Sequence, residues 1–339
     1  MVATIKDVAS RAEVSVMTVS RVLNGGDHVS LEKRERVLAA VSALGYRRNQ
    51  SARGLPGSRT YVLALIAAEA PSYVAEIERG AIRQCRRDDY HLAVVSPDPA
   101  IEDPVEAMRA LIATLRADGL ILLPPLANHA GVLDLLDKAG LAYVRIGPDD
   151  RSDRAPSVGM DETAAADELT SHLLDLGHRR IGFIGGPPDQ GGALRRYRGY
   201  ARALERRGIK VEPELVRPGD FTFAGGLAAA RDLLTMDHRP SAIFASNDPM
   251  ALGVMSAASQ AGLSVPEEIA VAGFDDGEAA RRTWPRLTTI RQPTVDLGEA
   301  AAELLIARAG RAGALAPVQA RVLDYELIIR GSTRAGADG

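Results

Sequence analysis

The sequence predicts an α/β protein that carries a small all-α head at its N-terminus. Apolar residues within the first 45 positions recur at helical spacing. From Tyr61 onward, short apolar runs alternate with amphipathic stretches, a pattern typical of parallel strands joined by helices. A length of 339 residues exceeds one ordinary hydrophobic core, so we expect two or three domains.

Charge is unevenly distributed between the head and the rest of the chain. Residues 1–60 contain ten Lys and Arg against five Asp and Glu, a formal charge of +5, whereas the remaining residues contain 31 against 39, a charge of −8. A basic head on an acidic body indicates that only the head meets a polyanion. A solvated helical surface is the alternative, and charge alone does not decide between them.

Composition predicts a cytoplasmic protein. The single cysteine, Cys85, has no partner for an intramolecular disulfide. The sequence contains no run of about 18 apolar residues, so we expect no transmembrane helix. Lys6, Asp7 and Arg11 interrupt the apolar residues of the N-terminus, so we also expect no secretory signal.

The head is predicted to contain three helices. The first has Thr4 as its N-cap, and its apolar face is formed by Ile5, Val8, Ala9 and Ala12. A second short helix begins at Ser15 or Val16; its inward residues and its glycine-containing end are Val19, Val22, Leu23 and Asn24-Gly25-Gly26. The third follows Ser30 and ends before Gly45, with the core residues Val37, Leu38, Val41 and Leu44. The first two helices and their short turn indicate a helix-turn-helix motif.

The outward face of the second helix is suited to DNA. Val16, Met17 and Thr18 lie at its N-terminal end, with Arg21 one turn later, where this motif faces base edges in the major groove. A bidentate bond from Arg21 to guanine is worth about 1–3 kcal/mol of discrimination. The short polar side chains suited to phosphate contacts are Ser15, Thr18, Ser20, Asn24 and His28, and we expect Thr4, at the start of the first helix, to contact DNA as well. A three-helix bundle that binds protein is the alternative, but a helix rich in Ser, Thr and Arg makes a poor protein interface.

Three stretches carry a resemblance to a known family. They are Ile5-Lys6-Asp7-Val8-Ala9, Thr18-Val19-Ser20-Arg21-Val22-Leu23-Asn24 and Asn49-Gln50-Ser51-Ala52-Arg53-Gly54-Leu55. With them, the chain resembles the LacI/GalR (lactose repressor-type) bacterial transcription regulators over essentially its whole length. The resemblance implies two heads on a homodimer, bound to a near-palindromic double-stranded DNA operator, whose affinity is controlled by a small sugar-like effector.

The resemblance also implies a hinge helix that folds on operator DNA. Its DNA-contacting positions are Asn49, Ala52, Arg53 and Leu55, with Leu55 wedged into the minor groove. Gly54 and the following Pro56-Gly57 make so short a helix weak on its own. The chain departs from the family at Arg48, where proline is common, which loosens the hinge entry or adds a phosphate contact.

The body is predicted to contain two similar parallel sheets. The apolar runs assigned to strands are Tyr61–Ile66, His91–Val95, Gly119–Leu123, Ala142–Ile146, Ser157–Met160, Ile181–Ile184, Leu215–Arg217, Ala242–Ala245 and Ile269–Gly273. The amphipathic helices among them include Val74–Arg87, Asp161–Leu176, Leu194–Arg207 and Pro249–Ala261. Pro285–Thr294 and the segment near Pro317–Arg321 are predicted crossovers, and the resemblance implies a periplasmic-binding-protein-like clamp with two lobes and three connections.

The expected domains follow from these assignments. Residues 1–47 form the helix-turn-helix head, 48–59 the hinge helix and linker, and 60–339 an effector-binding and dimerisation domain. Within it, lobe one covers about 60–159 and 292–320, and lobe two about 160–291 and 321–339. Family-like dimer surfaces are Val74–Arg87 and Gly131–Leu141. No leucine heptads follow Ser332, so we expect a dimer without a coiled-coil tetramer.

Ligands of parallel sheets bind beyond the carboxyl ends of the strands. Carboxylates, an amide, guanidinium groups and two aromatic rings follow the predicted strands there, a combination that suits a sugar. The residues that the resemblance assigns to the effector are Tyr73, Arg196, Phe221, Asn247 and Asp275. The family usually has an acid directly after the Ala142–Ile146 strand, where this chain has Gly147-Pro148-Asp149, so a contact there is missing or shifted.

Each of these residues also has a structural explanation. Asn247 or Asp248 is suited to cap the Pro249–Ala261 helix, and we expect Asp248 to do so. Asp276 is suited to hold a loop, and Tyr73 to staple a helix start.

The motifs disfavour an enzyme. Gly-x-Ser-x-Gly is absent, Gly182–Gly186 matches no nucleotide-binding loop, and the six histidines lack metal-site spacing. We therefore expect a non-enzymatic repressor without a cofactor or metal. A solute-binding protein or sugar-acting enzyme with an added head is the alternative; the absence of a signal segment and of a nucleophile argues against it.

Overall fold

The computed structural model describes residues 3–23, 29–45, 59–67, 71–98, 100–149, 154–309 and 319–333. The chain divides into two units, Met1–Thr60 and Tyr61–Gly339, here called the head and the body. The predicted hinge helix, with Asn49, Ala52, Arg53 and Leu55, lies outside the described residues, as do Asn24 and His28.

The head consists of three helices, as predicted: α1 (Ile5–Ala12), α2 (Val16–Leu23) and α3 (Leu31–Leu44). Their core includes Val8, Val19 and Val37, which are fully buried. The prediction that Leu38 belongs to this core is wrong, because its side chain is 50% exposed. The inward face of α3 follows positions 37, 40, 41 and 44, a helical spacing that leaves position 38 outside.

Hydrogen bonds fix both the start of α1 and the turn between α1 and α2. The Thr4 hydroxyl accepts from the Asp7 backbone N–H, and the Asp7 carboxylate accepts from the Thr4 N–H at 2.7 Å, which forms a capping box and confirms Thr4 as the N-cap. Glu13 ends α1 with φ of 52°. The Arg36 guanidinium donates to the carbonyl oxygens of Ala12 and Glu13 at 2.5 and 3.3 Å. Helix α3 therefore holds the turn that orients α2.

The first sheet of the body is parallel throughout. Its strands, numbered along the chain, are β1 (Val62–Ile66), β2 (His91–Val95), β3 (Gly119–Leu122), β4 (Tyr143–Ile146), β5 (Ser157–Met160) and β11 (Ala320–Leu323), in the spatial order β11-β5-β4-β3-β1-β2. The helices that cover it are α4 (Pro71–Arg87), α5 (Pro104–Thr114), α6 (Ala130–Ala139) and α12 (Thr294–Ala309). Both faces of β1 are buried, which explains its continuous apolar sequence.

The second sheet is parallel except for its last strand, which pairs antiparallel with its neighbour. Its strands are β6 (Ile181–Ile184), β7 (Val216–Arg217), β8 (Ala242–Ala245), β9 (Ala270–Asp275), β10 (Thr288–Arg291) and β12 (Glu326–Ile328), in the order β12-β10-β9-β8-β6-β7. The helices around it are α7 (Glu162–Asp175), α8 (Gly191–Arg206), α9 (Phe223–Leu234), α10 (Asp248–Gln260) and the short α11 (Glu278–Arg282). The two sheets and the helical head confirm the predicted fold class.

The described chain crosses between the sheets three times. The crossings lie after β5, after β10 and between β11 and β12. Residues 288–291, predicted as part of a crossover, instead form a strand of the second sheet, and the crossing follows at Gln292. Strand β11 belongs to the first sheet, so the return to the second sheet falls after Leu323 rather than after residue 320. No described helix is both long and apolar enough to cross a bilayer.

Candidate functional site

A cavity of about 360 Å³ lies between the two sheets of the body. It is bounded by segments that follow the carboxyl ends of parallel strands in both sheets, the position expected for a ligand. All five residues predicted to contact an effector line this cavity: Tyr73, Arg196, Phe221, Asn247 and Asp275. The structure therefore brings the predicted set together, and contact with a ligand remains a prediction.

Glu162 joins two neighbouring arginines at the cavity wall. Its carboxylate accepts from Arg195 Nε at 2.6 Å and from Arg196 at 2.7 Å, and it is 7% exposed. Burial opposes ionisation of Glu162, but the two guanidinium groups hold its pKa below the ordinary value. Arg196 also donates to the carbonyl oxygen of Ser246 at 2.5 Å and lies 4.0 Å from the ring centre of Phe274. Arg196 is thus fixed by three contacts.

Arg195 extends from α8 to the loop that follows β4 in the other sheet. It donates to the Asp149 carboxylate at 2.8 Å and to the Gly147 carbonyl oxygen at 3.3 Å. The Asp149 N–H in turn donates to Asn128 Oδ1 at 2.9 Å. Gly147 lines the cavity, whereas Asp149 is not among the lining residues and forms an ion pair between the two lobes.

Asp275 ends β9 beside the second crossing. Its carboxylate accepts from the side-chain amide of Gln292 at 2.6 Å. Burial raises the pKa of Asp275, while the Arg196 charge and the bond from Gln292 oppose that rise. Its φ of 129° and that of 56° at Asp276 are strained for residues with side chains. Asp276 holds this loop, as its structural explanation required, by accepting from Arg291 at 2.7 Å and Arg330 at 2.6 Å.

Asn247, not Asp248, caps α10. Asn247 Oδ1 accepts from the Met250 N–H at 3.0 Å, and its Nδ2 donates to the Phe221 carbonyl oxygen at 2.9 Å. The prediction that Asp248 is the cap is wrong. Asp248 is the first residue of α10, and its carboxylate accepts from the Gly277 N–H and the Thr289 hydroxyl at 2.8 and 2.6 Å. It therefore anchors the loop that carries Asp275.

The two aromatic residues of the cavity come from different lobes: Phe221 from the loop before α9, and Tyr73 from α4. Phe221 adopts φ of 64° before α9, and its ring lies against Gly186, where a Cβ would come within 2.1 Å of the ring. The glycine-rich stretch after β6 thus makes room for Phe221. Tyr73, on α4, is partly buried, and its pKa is raised by burial and by the nearby Glu162 charge.

Sequence reasoning missed Glu162, Gln292 and Gln190 in the cavity lining. Glu162 and Gln292 lie at the first two crossings between the sheets. Neither residue has a motif of its own. The only signal was position, because the polar residues next to a crossing lie near both lobes.

The head presents the predicted surface on α2. Val16 and Met17 are 42% and 64% exposed, and Arg21 is exposed. Ser15 caps α2 by accepting from the Thr18 N–H at 3.1 Å, and the two hydroxyls are 2.9 Å apart. Ser20 is partly buried. The hydroxyl of Thr4 is used in the capping box. A helix with exposed apolar side chains at its N-terminal end and an exposed arginine in its last turn matches the arrangement of a recognition helix.

A helix-turn-helix head in one chain with a two-sheet cleft is the architecture of a DNA-binding regulator. Residues 4–49 match the family model of bacterial regulatory proteins of the lacI family, and residues 170–333 match that of a periplasmic binding protein-like domain. The chain is 34% identical over 335 residues to the HTH-type transcriptional repressor CytR of Escherichia coli K12, covering 98% of this chain and 97% of that protein. It is 38% identical over 316 residues to the ribose operon repressor of the same organism, covering 90% and 93%.

Solved structures agree with these relatives. The lac repressor dimer bound to operator and the anti-inducer ONPF has a TM-score of 0.78 at 29% identity, covering 99% of this chain and 100% of that one. The complex of the transcriptional regulator CelR with cellobiose has a TM-score of 0.75 at 33% identity, covering 97% and 99%. The chain belongs to the lacI family of bacterial regulatory proteins. It is a DNA-binding transcriptional regulator rather than an enzyme, which sets the alternative of a sugar-acting enzyme aside.

Proposed function

We propose that the chain is a homodimeric repressor whose affinity for operator DNA is set by a small sugar-like effector in the body cavity. The observation that carries this proposal is the convergence of Tyr73, Arg196, Phe221, Asn247 and Asp275 on one cavity between two sheets. Polar groups that bond hydroxyls, beside rings that cover an apolar face, suit a sugar.

The named relatives support the same function. Three of them are repressors, one of them of the ribose operon, and the CelR structure holds cellobiose. The lac repressor structure is a dimer on its operator. By analogy, two heads of this protein bind a near-palindromic site whose half-sites lie about one helical turn apart. Such a regulator acts in the cytoplasm, where the DNA is.

The proposed division of labour follows the domains expected from the sequence. Residues 1–47 read the operator, 48–59 form the hinge, and 60–339 bind the effector and the second protomer. Closing of the two lobes on the effector changes the spacing of the hinges, and the DNA complex then loses the hinge helices with their Leu55 wedges.

A footprint on the promoter region of the protein's own gene tests the proposal. We expect purified protein to protect a near-palindromic site at low salt, and a bound sugar to change that protection. Absence of any protected site at low salt would contradict the proposal.

Exposed apolar residues of the head provide a matched pair for the DNA surface. Met17 on α2 and Leu38 on α3 are 64% and 50% exposed. We expect Met17→Ala to weaken specific operator binding by about 1–3 kcal/mol with little change in nonspecific binding. Leu38→Ala, on another helix, should leave both unchanged. Equal losses in the two variants, measured by gel shift on operator and scrambled duplexes, would argue against α2 as the recognition helix.

A further inference from the structure

We infer that the cavity accepts a neutral, polyhydroxylated ring compound and excludes phosphorylated or carboxylated ones. The inference rests on the proposed function, because it takes the cavity as the effector site. It goes further by assigning the charge class of the ligand. Among the described residues, the chain's own carboxylates already pair with both arginines that line the cavity.

Both guanidinium groups of the lining already donate to carboxylate and carbonyl oxygens of the protein. Arg195 donates to Glu162 and Asp149 at 2.6 and 2.8 Å, and to the carbonyl oxygens of Gly147 and Pro148 at 3.3 and 3.4 Å. Arg196 donates to Glu162 and to a backbone carbonyl oxygen. Neither guanidinium is left with an uncompensated charge, so neither offers the bidentate clamp that an incoming phosphate or carboxylate requires.

Carboxylates outnumber the guanidinium groups around the cavity. The described lining residues include three carboxylates, of Glu162, Asp220 and Asp275, and two guanidinium groups, of Arg195 and Arg196. Asp149, bonded to Arg195, adds a fourth carboxylate. Even with Asp275 protonated, three carboxylates remain for two guanidinium groups. A phosphate monoester would add about −1.5 to −2 charges to this partly buried site, where like charges repel strongly.

Four helix N-termini around the cavity, the other usual kind of anion site, are occupied as well. The first turn of α4, which lines the cavity with Tyr73 and Val74, contains no acid. The Asp149 carboxylate lies against the first turn of α8, so close that a Cβ on Gly191 would be 1.5 Å from its Oδ1. Asp161 caps α7, and Glu162 is in its first turn. Asp220 accepts from the Thr222 N–H at the start of α9. Helix α10 begins with Asn247 and Asp248. Each of these four helices thus already carries a side-chain acid at its positive end.

The groups that remain suit a neutral ligand. Arg196 is 7% exposed, and its Nε has no hydrogen-bond partner among the described residues, so one buried donor is available to a ligand oxygen such as a hydroxyl. Asn247 has a second amide hydrogen beyond the one given to Phe221. A cavity of about 360 Å³ is at the low end of the range for small-molecule sites. One sugar ring, alone or with one attached ring, fits this description.

Phosphate binding tests the exclusion directly. We expect inorganic phosphate to give wild-type protein no more thermal stabilisation than chloride at equal ionic strength. If phosphate binds at the basic head instead, its thermal stabilisation should be the same in Arg195→Met as in wild type, and the inference about the cavity stands. Stabilisation of wild type by phosphate that disappears in Arg195→Met would overturn it.

Charge-removal variants should convert exclusion into binding. We expect Asp149→Asn, at a half-exposed position, and Glu162→Gln to gain phosphate affinity by at least about fivefold, because each frees an arginine. Asp220→Asn removes an equal charge from a carboxylate that bonds Thr222 and no arginine, so it should gain less. An equal gain in Asp220→Asn, or no gain in Asp149→Asn, would contradict the assigned role of the arginine pairs.

A panel of matched sugars separates this inference from the proposed function. Ribose, glucose, uridine and their phosphates are titrated calorimetrically, while operator binding is measured on the same preparation. We expect each neutral compound that binds to exceed its phosphate by at least about tenfold. A tighter phosphate with intact operator binding overturns the charge class alone, whereas loss of operator recognition overturns the proposed function.

Discussion

Arg195 and Arg196 are adjacent in sequence, yet their side chains serve different partners. Arg196 stays within the second lobe, between Glu162, the Ser246 carbonyl and the Phe274 ring. Arg195 shares Glu162 but reaches the Gly147–Asp149 loop of the first lobe. One carboxylate thereby connects the wall of the cavity to the contact between the lobes. A ligand that bonds Arg196 would therefore be next to Arg195, which makes the contact with Asp149 of the other lobe.

Arg196→Met should abolish the response to effector while leaving operator binding without effector intact. Loss of a charged hydrogen bond costs about 1.5–3 kcal/mol, or about tenfold to more than a hundredfold in affinity. The matched control is Arg202→Met, because Arg202 lies on the same helix and pairs with Asp167 of α7, outside the cavity lining. Effector titration of both variants checks the prediction. Similar affinities in the two variants would show that Arg196 does not contact the effector.

Asp248 should make stability depend on pH. Burial and the neighbouring Asp275 carboxyl raise its pKa in the folded chain. Between the ordinary value of about 4 and this raised value, the folded protein binds more protons than the unfolded one, so stability falls as pH rises. Lowering the pH from about 8 to about 5 should therefore stabilise wild type relative to Asp248→Asn. We expect the melting temperature of wild type minus that of Asp248→Asn to increase over this range.

The control for this pH series is Asp220→Asn. Hydrogen bonds from Thr222 lower the pKa of Asp220, so it stays ionised throughout the window. Its difference from wild type should therefore be flat over the same pH range. A flat difference for Asp248→Asn as well would show that Asp248 is already ionised in the folded protein.

At the scale of elements, helices α4 and α12 touch backbone to backbone. A Cβ at Gly80 would lie 1.8 Å from the Val295 carbonyl oxygen, and one at Gly298 would lie 2.0 Å from that of Ile77. Gly80 of α4 thus lies against the backbone of α12, and Gly298 of α12 lies against the backbone of α4. They allow both helices to pack closely on the first sheet. Tyr73 lies in the first turn of α4, and the second crossing leads directly into α12.

Gly80→Ala should lower the free energy of unfolding by at least about 1–3 kcal/mol, because backbone atoms cannot yield as a flexible side chain would. Arg83→Ala places the same residue on the exposed side of α4 and should change stability by less than about 0.5 kcal/mol. Chemical denaturation of both variants measures the difference. Equal stabilities would indicate that α4 and α12 can separate freely.

The elements that the sequence predicted differ physically from those that it did not. Strands such as Ile181–Ile184 are apolar because both faces of the sheet are covered, and that pattern is readable from the residues. The strand Thr288–Arg291 contains two threonines and an arginine, whose side chains bond Thr333, Asp248 and Asp276. Only the assembled lobe supplies those partners, so residue patterns could not identify the strand.

The same distinction holds for the candidate site. Asp275 and Asn247 could be placed because each follows an apolar strand at the edge where ligands bind. Glu162 could not, since its importance comes from two arginines more than 30 residues later. The Asp248 prediction failed for a related reason: two neighbouring residues fit the cap, and the contacts with Gly277 and Thr289 decide between them.

At the scale of the whole molecule, effector and operator should affect each other equally. If an effector changes operator affinity by a given factor, operator DNA must change effector affinity by the same factor, typically about 5–150-fold. Effector titrations in the presence of operator duplex and of scrambled duplex measure the second half of this relation. Unequal factors would mean that the effector acts on something other than the DNA-bound state.

Two of the three crossings between the sheets carry a cavity side chain: Glu162 follows the first and Gln292 begins the second. The cavity thus shares residues with two connections that would act as pivots when the lobes close on a ligand, as proposed above. During divergence of such a regulator, a substitution that retunes ligand preference at either position also shifts the balance between open and closed forms. New specificities would therefore arise more readily through Tyr73 or Phe221, which lie away from the pivots, than through Glu162 or Gln292.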